Sequence, residues 1–319
     1  MRGYNVRASP GVKLRVMAQG QPSTFSICVA DPATGEVGVA VQSKYFSVGS
    51  VVPWARAGVG AVATQAAGVA VYGPRILDLL EQGLGPDEAL DRALANDAGK
   101  ETRQLGVVTA SGTSACWTGA GCNAWAGDEA GPGYAAQGNI LAGGEVVEEM
   151  VRAYGETTGA MTERLVAALR AGQAAGGDKR GQQSAAVYIE RSGAGVETGS
   201  GIDRVCDLRV EDHSEPIEEL ARLVEIHLRW EVLTRAFGCH TAGRYAEGVE
   251  LLAQGLVRFP NDATILYDLA CYRALAGLGD GAIESLARAL ELDPSLKELA
   301  RGDSDFDSVR ERPEFSALV

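Results

Sequence analysis

Residues 21–50, QPSTFSICVADPATGEVGVAVQSKYFSVGS, contain two β-strand patterns joined by the turn DPATG. In the first pattern, Phe25, Ile27 and Val29 occupy one face, which is the two-residue period of a strand. The second pattern, GEVGVAVQSKY, consists of small and β-branched residues that suit a strand covered on both faces. This stretch therefore predicts a buried strand–turn–strand unit at the start of the fold.

The segments that follow predict a regular alternation of strands and helices. A further strand is expected near 59–65, and GPRILDLLEQG and GPDEALDRALAND have the apolar stripe of amphipathic helices. RQLGVVTASGTSACWTG predicts two strands, and AGPGYAAQGNILAGG predicts a glycine-rich loop that enters a helix. One more helix, MTERLVAALRAGQAAGG, precedes the strands SAAVYIER and DLRVED. Sheets with helices on their outer faces satisfy this order.

Composition excludes several classes of function. The net charge of -13 disfavours a nucleic-acid or anionic-membrane surface, and no segment approaches the ~18 apolar residues of a membrane span. The six scattered cysteines indicate buried thiols in a reducing cytosol, with a Cys116–Cys122 disulfide as the alternative. The three histidines begin at His213, which disfavours a histidine zinc site or a Ser-His-Asp triad in the first domain. We expect a cytoplasmic protein without cofactor or metal.

The first 22 residues form a leader that is basic and lacks the apolar core of a secretory signal. Its weak patterning predicts either a flexible tail or a start assigned too early, with Met17 as a possible later start.

The sequence after Glu215 has only helical patterns, and they repeat. VELLAQGLVRFPN from Val249 aligns with IESLARALELDPS from Ile283, and a period of this length resembles tetratricopeptide repeats. About two units are present, so we expect them to pack on the preceding helices and to offer a surface for a protein partner. The predicted domains are the leader at 1–22, a sheet-containing domain at 23–212 and a helical domain at 213–319.

Three blocks in order, TFSICVADPATGEVGVAVQSKYFSVGSVVPWARAGVGAVATQ, GPGYAAQGNILAG and AGQAAGGDKRGQQSAAVYIE, resemble the family called domain of unknown function 1028. The resemblance covers roughly 24–209 and leaves the C-terminal repeats outside. It implies an α+β fold, a four-layer αββα sandwich of the N-terminal nucleophile (Ntn) hydrolases. It also implies that Thr24 attacks an amide carbonyl while its own free α-amine acts as the base. Here Pro22 and Ser23 precede Thr24, so the amine is free only after the Ser23–Thr24 bond is cut.

The resemblance, together with polar residues at strand ends, suggests a set of site residues. Ser43 either binds the amine of Thr24 or satisfies a strand end, and Asp178 either orients that amine or pairs with Arg180 to hold a turn. Thr24 itself has the alternative of an ordinary strand residue. The predicted catalytic residues are thus Thr24, Ser43 and Asp178, and the predicted substrate-binding residues are Lys44, Thr64, Gln65, Asn139, Arg180, Gln183 and Ser184.

Two of these residues have specific alternatives. Lys44 either lowers the proton affinity of the nucleophile through its charge or has a structural role, and the structural role is favoured because the family often has Arg at this place. Asn139 either offers a hydrogen bond to an oxyanion or caps the following helix.

Two functions remain open. The first is an Ntn-type amidohydrolase or peptidase that acts on a small amide or peptide through Thr24. The second is a non-catalytic Ntn-fold protein that binds a ligand in its cleft and docks a protein partner on its C-terminal repeats. A homo-oligomer is expected in either case, because sandwiches of this fold commonly assemble through their outer layers.

Overall fold

A computed structural model describes residues 24–319, so the expectations for the leader and for a later start at Met17 concern residues outside the described part. The strands are β1 (Thr24–Asp31), β2 (Glu36–Ser43), β3 (Pro53–Arg56), β4 (Gly60–Ala66), β5 (Arg103–Thr109), β6 (Ser114–Thr118), β7 (Ala126–Gly131), β8 (Tyr134–Asn139), β9 (Ser184–Arg191) and β10 (Arg204–Val210). The helices are α1 (Tyr72–Glu81), α2 (Pro86–Leu94), α3 (Glu145–Glu156), α4 (Met161–Ala174), α5 (Ala194–Glu197), α6 (Pro216–Thr241), α7 (Tyr245–Arg258), α8 (Ala263–Leu275), α9 (Gly279–Leu292), α10 (Leu296–Gly302) and α11 (Pro313–Leu318).

The strands form two antiparallel sheets. One has six strands in the order β10-β9-β2-β1-β8-β7, and the other has four in the order β3-β4-β5-β6. The strand β1 therefore lies in the middle of the larger sheet, hydrogen-bonded to β2 on one side and to β8 on the other.

The predicted strand–turn–strand unit is confirmed as the β1–β2 hairpin. Its register runs from Thr24 opposite Ser43 to Asp31 opposite Glu36. In the turn, the Asp31 carboxylate accepts a hydrogen bond from the Ala33 N–H at 3.0 Å, and Gly35 has a φ of 77°. A glycine adopts this left-handed conformation without the steric cost that a side chain brings, so the DPATG turn follows from the sequence.

The prediction of a glycine-rich loop at 130–144 is wrong over 130–139, because these residues form the end of β7, a short turn and all of β8. Small residues such as Ala135 and Gly138 give β8 little strand propensity of its own. The strand forms because it pairs with β1 along its whole length, from Asn139 opposite Thr24 to Tyr134 opposite Val29. A second short strand, β3, also lies where only one strand was predicted.

Apolar clusters cover both faces of each sheet. On the outer face of the larger sheet, Phe25 and Ile27 pack with side chains of α3 and α4 such as Met150. Between the sheets, Val39 of β2 packs with Ala63 of β4 and with other small or β-branched residues. On the outer face of the smaller sheet, buried valine and leucine side chains pack with the apolar stripes of α1 and α2. The predicted mixture of sheets and helices is confirmed.

The C-terminal region is helical, as predicted, and α6 joins it to the sheets. The first half of α6 packs against the larger sheet through Ile217 and Leu220, and its second half packs against α7 and contributes Leu233 and Ala236 to the cluster of the C-terminal helices. The helix α9 begins 34 residues after α7, at Gly279 compared with Tyr245. Leu252 and Leu286, which the sequence repeat aligns, are both fully buried in the same cluster.

Two further observations bear on the predictions from composition. No helix in residues 24–319 has the length and apolar character needed to cross a membrane. All six cysteines are free thiols, so the alternative of a Cys116–Cys122 disulfide is wrong.

Candidate functional site

Four strand ends meet at one end of the larger sheet, and we call the residues there the strand-end site: Thr24, Ser43, Asn139 and Ser184. Thr24 begins β1 between Ser43 at the end of β2 and Asn139 at the end of β8. Ser184 begins β9 opposite Ser43. The antiparallel register therefore brings together hydroxyl and amide side chains that are far apart in the sequence.

Thr24 is fully buried at the centre of this site. Its Oγ1 lies 3.1 Å from the Oγ of Ser43, and either hydroxyl can donate the hydrogen bond. Its backbone carbonyl accepts a hydrogen bond from the Nε2 of Gln65 at 3.3 Å, which links the start of β1 to the end of β4 in the other sheet. A threonine hydroxyl held in this way by a second hydroxyl has a defined orientation.

A chain of buried amides connects the two sheets behind Thr24. The Nε2 of Gln65 donates to the Oε1 of Gln104 at 2.9 Å, and the Nδ2 of Asn139 donates to the same oxygen at 3.0 Å. The Oγ of Ser26 donates to the Oε1 of Gln65 at 2.7 Å and accepts from the Nε2 of Gln137 at 2.6 Å. Buried polar groups with such complete hydrogen bonding hold a single geometry.

Asp178 holds the turn that leads into β9. Its side chain has no exposed surface, accepts from the backbone N–H of Lys44 at 3.0 Å, and pairs with the Arg180 guanidinium at 3.1 Å. The backbone N–H of Arg180 donates to the same carboxylate at 2.8 Å. These contacts correspond to the turn-holding alternative for Asp178 and place its carboxylate beside the residue that follows Ser43.

The other predicted site residues are divided between the site and its surroundings. Lys44 is exposed, and its Nζ donates to the Gln182 carbonyl at 3.0 Å. Gln183 donates to Asp212 at 2.9 Å on the surface. Thr64 is buried, and its hydroxyl lies 3.4 Å from the Val69 carbonyl.

Ser184 positions the loop after β2. Its hydroxyl donates to the Tyr45 carbonyl at 2.5 Å and accepts from the backbone N–H of Val48 at 3.1 Å. Both of these loop residues line the cavity described below, so Ser184 fixes one wall of that cavity.

Ser26 and Gln104 belong to the amide chain, but neither was among the predicted site residues. Each interrupts an otherwise apolar strand, in TFSICVA and RQLGVVT. A polar residue on the covered face of a strand is a usable signal, because such a group is stable only where partners satisfy it. Gln42 also interrupts an apolar strand, but it lies opposite Phe25 on the outer face of the larger sheet and not between the sheets. Neither of its amide atoms has a hydrogen-bond partner within residues 24–319.

Backbone conformations of unfavourable type cluster around the strand-end site. Across residues 24–319, the non-glycine residues with positive φ are Ser47 at 58°, Ala66 at 64° and Ile140 at 55°. Ser47 lies in the loop after β2, Ala66 ends β4, and Ile140 directly follows Asn139. Each such residue costs on the order of 1–3 kcal/mol and persists where its surroundings impose it, which is most common at functional sites.

A cavity of about 380 Å³ opens beside the strand-end site, between the loop after β2 and the turn after β4. Its apolar lining consists of valine and alanine side chains, so we call it the Val–Ala cavity: Val48, Val51, Val52, Ala66, Ala67 and Ala70. Gln65, which contacts Thr24, also lines it, together with Tyr45, Thr64, Gly68 and Arg103. A volume of this size is at the lower end of the range for small-ligand sites.

The cysteines of the sheets do not have the properties of nucleophiles. Burial raises the pKa of the Cys28 and Cys116 thiols far above the usual range, so both are protonated at neutral pH. Within residues 24–319, the group of potential metal ligands with atoms within 4.8 Å of one another is Cys271, Asp303 and Asp305, in the helical region and away from the strand-end site. The chemistry available at the site is therefore that of hydroxyls and amides.

Comparison with known proteins assigns the part of the chain that carries the site. The sequence model of DUF1028, a family of unknown function, matches residues 24–220. The chain is similar to the crystal structure of a Silicibacter pomeroyi protein with the DUF1028 domain, with a TM-score of 0.58 and 29% sequence identity. That similarity covers 64% of this chain and 88% of the other. No curated protein matches the chain. The family match includes every residue of the strand-end site and stops within α6.

Proposed function

The chain belongs to the DUF1028 family, whose function is unknown, and from this premise we propose that it is an Ntn-type amidohydrolase with Thr24 as its nucleophile. The substrate is a small amide or peptide. The single observation that carries the proposal is the position of the Thr24 hydroxyl, 3.1 Å from the Ser43 hydroxyl at the head of the central strand and near a cavity of ligand size. Helices against the outer face of each sheet support the four-layer αββα arrangement of that class.

The proposed reaction needs no residue outside the site. The Thr24 Oγ1 attacks the substrate carbonyl carbon, and its proton passes to the free α-amine of Thr24, which then protonates the leaving amine as the C–N bond breaks. Water hydrolyses the resulting ester by the same route and releases the acid. His213, the first histidine in the chain, accepts a hydrogen bond at Nδ1 from the Glu215 N–H and is exposed, which supports the amine as the base.

The neighbouring groups suit the charges that develop in this reaction. Ser43 is within hydrogen-bonding distance of the nucleophile and orients it. Asn139 lies directly opposite Thr24 in register, and its amide is held by Gln104 at 3.0 Å, so we assign it to the oxyanion. Asp178 acts from a greater distance, because its carboxylate holds the backbone of Lys44, which follows Ser43.

The test is the intact mass and N-terminal sequence of the purified full-length protein, followed by an amidase screen with amino-acid anilides. We expect a chain that starts at Thr24. Thr24→Ala should retain Ser23 and lose activity by at least about a hundredfold, and Thr24→Ser should retain both processing and activity. Thr34→Ala, in the exposed turn at the opposite end of β1, is the matched control and should behave as the wild type. A wild-type chain that keeps Ser23 has no free amine at Thr24 and excludes this mechanism.

The second candidate is a ligand-binding protein whose C-terminal helices dock a partner. Apolar side chains of α6 support it, because Ile226, Trp230 and Phe237 are 41%, 55% and 61% exposed. The 34-residue spacing of α7 and α9 is the period of tetratricopeptide helices, which bind peptides in many proteins. This candidate requires an intact leader and ligand binding that Thr24→Ala leaves unchanged.

A further inference from the structure

We infer that the Val–Ala cavity binds an uncharged, apolar side chain on the acyl part of the substrate, and this inference rests on the proposed hydrolase. It concerns the class of substrate, which neither the family nor the nucleophile specifies. The cavity has the position that such a subsite needs. Gln65 both lines it and donates to the Thr24 carbonyl, and Tyr45 lies two residues beyond Ser43. A substrate whose carbonyl carbon lies at the Thr24 hydroxyl therefore has its acyl side chain next to this cavity.

The polar side chains of Gln65 and Thr64 in the lining are already engaged with the protein. The Nε2 of Gln65 donates to Gln104, and its Oε1 accepts from Ser26. The hydroxyl of Thr64 is directed at the Val69 carbonyl. Apart from the Tyr45 side chain, a ligand that enters the cavity thus meets mainly methyl groups, and a polar ligand group would lose much of its hydration without replacement.

The charge of Arg103, the charged residue in the lining, is neutralised by Asp97. The Nε of Arg103 lies 2.8 Å from a carboxylate oxygen of Asp97, and its NH1 donates to the Ala67 carbonyl. Hydrogen bonds from Arg103, and next from Tyr72, hold the pKa of Asp97 well below its usual range, so this pair is fully ionised at neutral pH. Arg103 is therefore occupied by Asp97 and the Ala67 carbonyl and does not recognise a substrate carboxylate, and among residues 24–319 no carboxylate lines the cavity to bind a cationic substrate group.

The walls of the cavity are fixed before a ligand binds. Ser184 holds the loop of Tyr45 and Val48 by two hydrogen bonds, and the positive φ of Ala66 turns the chain at the end of β4. A preformed apolar site selects by shape and charge and does not adapt to a charged group.

The experiment measures binding to a Thr24→Ala protein produced with residue 24 as its N-terminus, which is the N-terminus that the proposed function gives the mature chain, so that neither catalysis nor an uncut leader affects the result. The probes are N-acetyl-leucinamide, N-acetyl-lysinamide and the amide of N-acetyl-aspartate, titrated up to about 10 mM and followed by NMR or calorimetry. We expect the leucine probe to bind at least roughly tenfold more tightly than either charged probe. Comparable affinities for all three probes, or no binding by any of them, would overturn the inference.

Variants of the cavity test where the probe binds. Ala70→Trp fills the cavity and should weaken binding of the leucine probe by roughly tenfold or more, and Ala70→Leu serves if the tryptophan variant does not fold. The matched control is Val71→Trp, because Val71 is 60% exposed and lies outside the lining. Equal binding by Ala70→Trp and Val71→Trp would place the probe elsewhere and contradict the inference.

The outcome separates the cavity from the nucleophile. If the wild-type chain is processed and active but shows no preference for apolar probes, the assignment of the cavity fails and the hydrolase stands. If apolar probes bind selectively while the wild-type chain keeps Ser23, the hydrolase fails and the cavity is the binding site of the second candidate.

Discussion

The side chain of Gln137 fills the space between the two sheets. Gln137 lies on β8 and donates to the Oγ of Ser26 at 2.6 Å, and its side chain reaches toward β5 at Gly106. A Cβ placed on Gly106 would lie 1.9 Å from the Oε1 of Gln137. The buried amides behind Thr24 therefore depend on a glycine in the opposite sheet.

We predict that Gly106→Ala lowers the free energy of unfolding by about 2 kcal/mol, because Gln137 must give up a buried hydrogen bond to make room. The change is measured by urea unfolding. Gln137→Ala alone also lowers the free energy of unfolding. The double variant should be about 1 kcal/mol more stable than the sum of the two single effects predicts. Additive effects of the two substitutions would show that the methyl group and the amide do not compete for the same space.

The helix α8 carries a carboxyl group whose pKa is raised in the folded protein. Asp268 is half-buried on it, and burial raises the pKa of its carboxyl to about 6, with further contributions from Asp262, Asp303 and Asp305. The folded pKa is thus above that of the unfolded chain, so protonated Asp268 is favoured by folding. Its stabilising contribution is complete below the unfolded pKa of about 4 and is lost as the pH rises through about 6.

We therefore predict that Asp268→Asn stabilises the protein at pH 7 by about 2 kcal/mol and has little effect at pH 4. Chemical unfolding at both pH values measures the difference. Glu284→Gln, which removes an exposed carboxylate from α9, is the control and should change stability by less than about 0.5 kcal/mol at either pH. The same gain from Asp268→Asn at pH 4 and pH 7 would contradict the assigned ionisation.

At the scale of the whole molecule, α6 belongs to both parts of the chain. Its residues Ile217, Leu220, Val224 and Leu228 join the cluster on the outer face of the larger sheet, and its second half joins the cluster of the C-terminal helices. The sheets therefore depend on a helix that begins after the last strand.

We predict that a chain ended after Asp212 loses most of its stability, because it lacks these four side chains and exposes the apolar residues of the larger sheet that they cover. This exposure costs on the order of 5 kcal/mol or more, similar to the total stability of many domains. A chain ended after Thr241 keeps α6 and should still unfold cooperatively. Thermal unfolding followed by circular dichroism compares the two with the full-length protein. A short chain that melts as cooperatively and at the same temperature as the chain with α6 would show that this helix is dispensable to the sheets.

Features that depend on neighbours in the chain can be predicted from the amino-acid sequence. The β1–β2 hairpin follows from alternation and from the DPATG turn, and the amphipathic helices follow from their stripes. The helical C-terminal region follows from its 34-residue period. The family resemblance suggests Thr24, Ser43 and Asn139 as site residues, the first two at predicted strand ends and Asn139 in a predicted glycine-rich loop. The structure brings these three residues together at one end of the larger sheet.

Features that depend on pairing between distant segments become visible in the folded chain. The strand β8 is rich in alanine and glycine and forms because β1 lies beside it, which no local preference encodes. The amide chain through Ser26 and Gln104, and the cavity between two loops, exist only once both sheets are in contact. The physical reason is that burial and hydrogen bonding are properties of the assembled chain, whereas turn and helix signals act over a few residues.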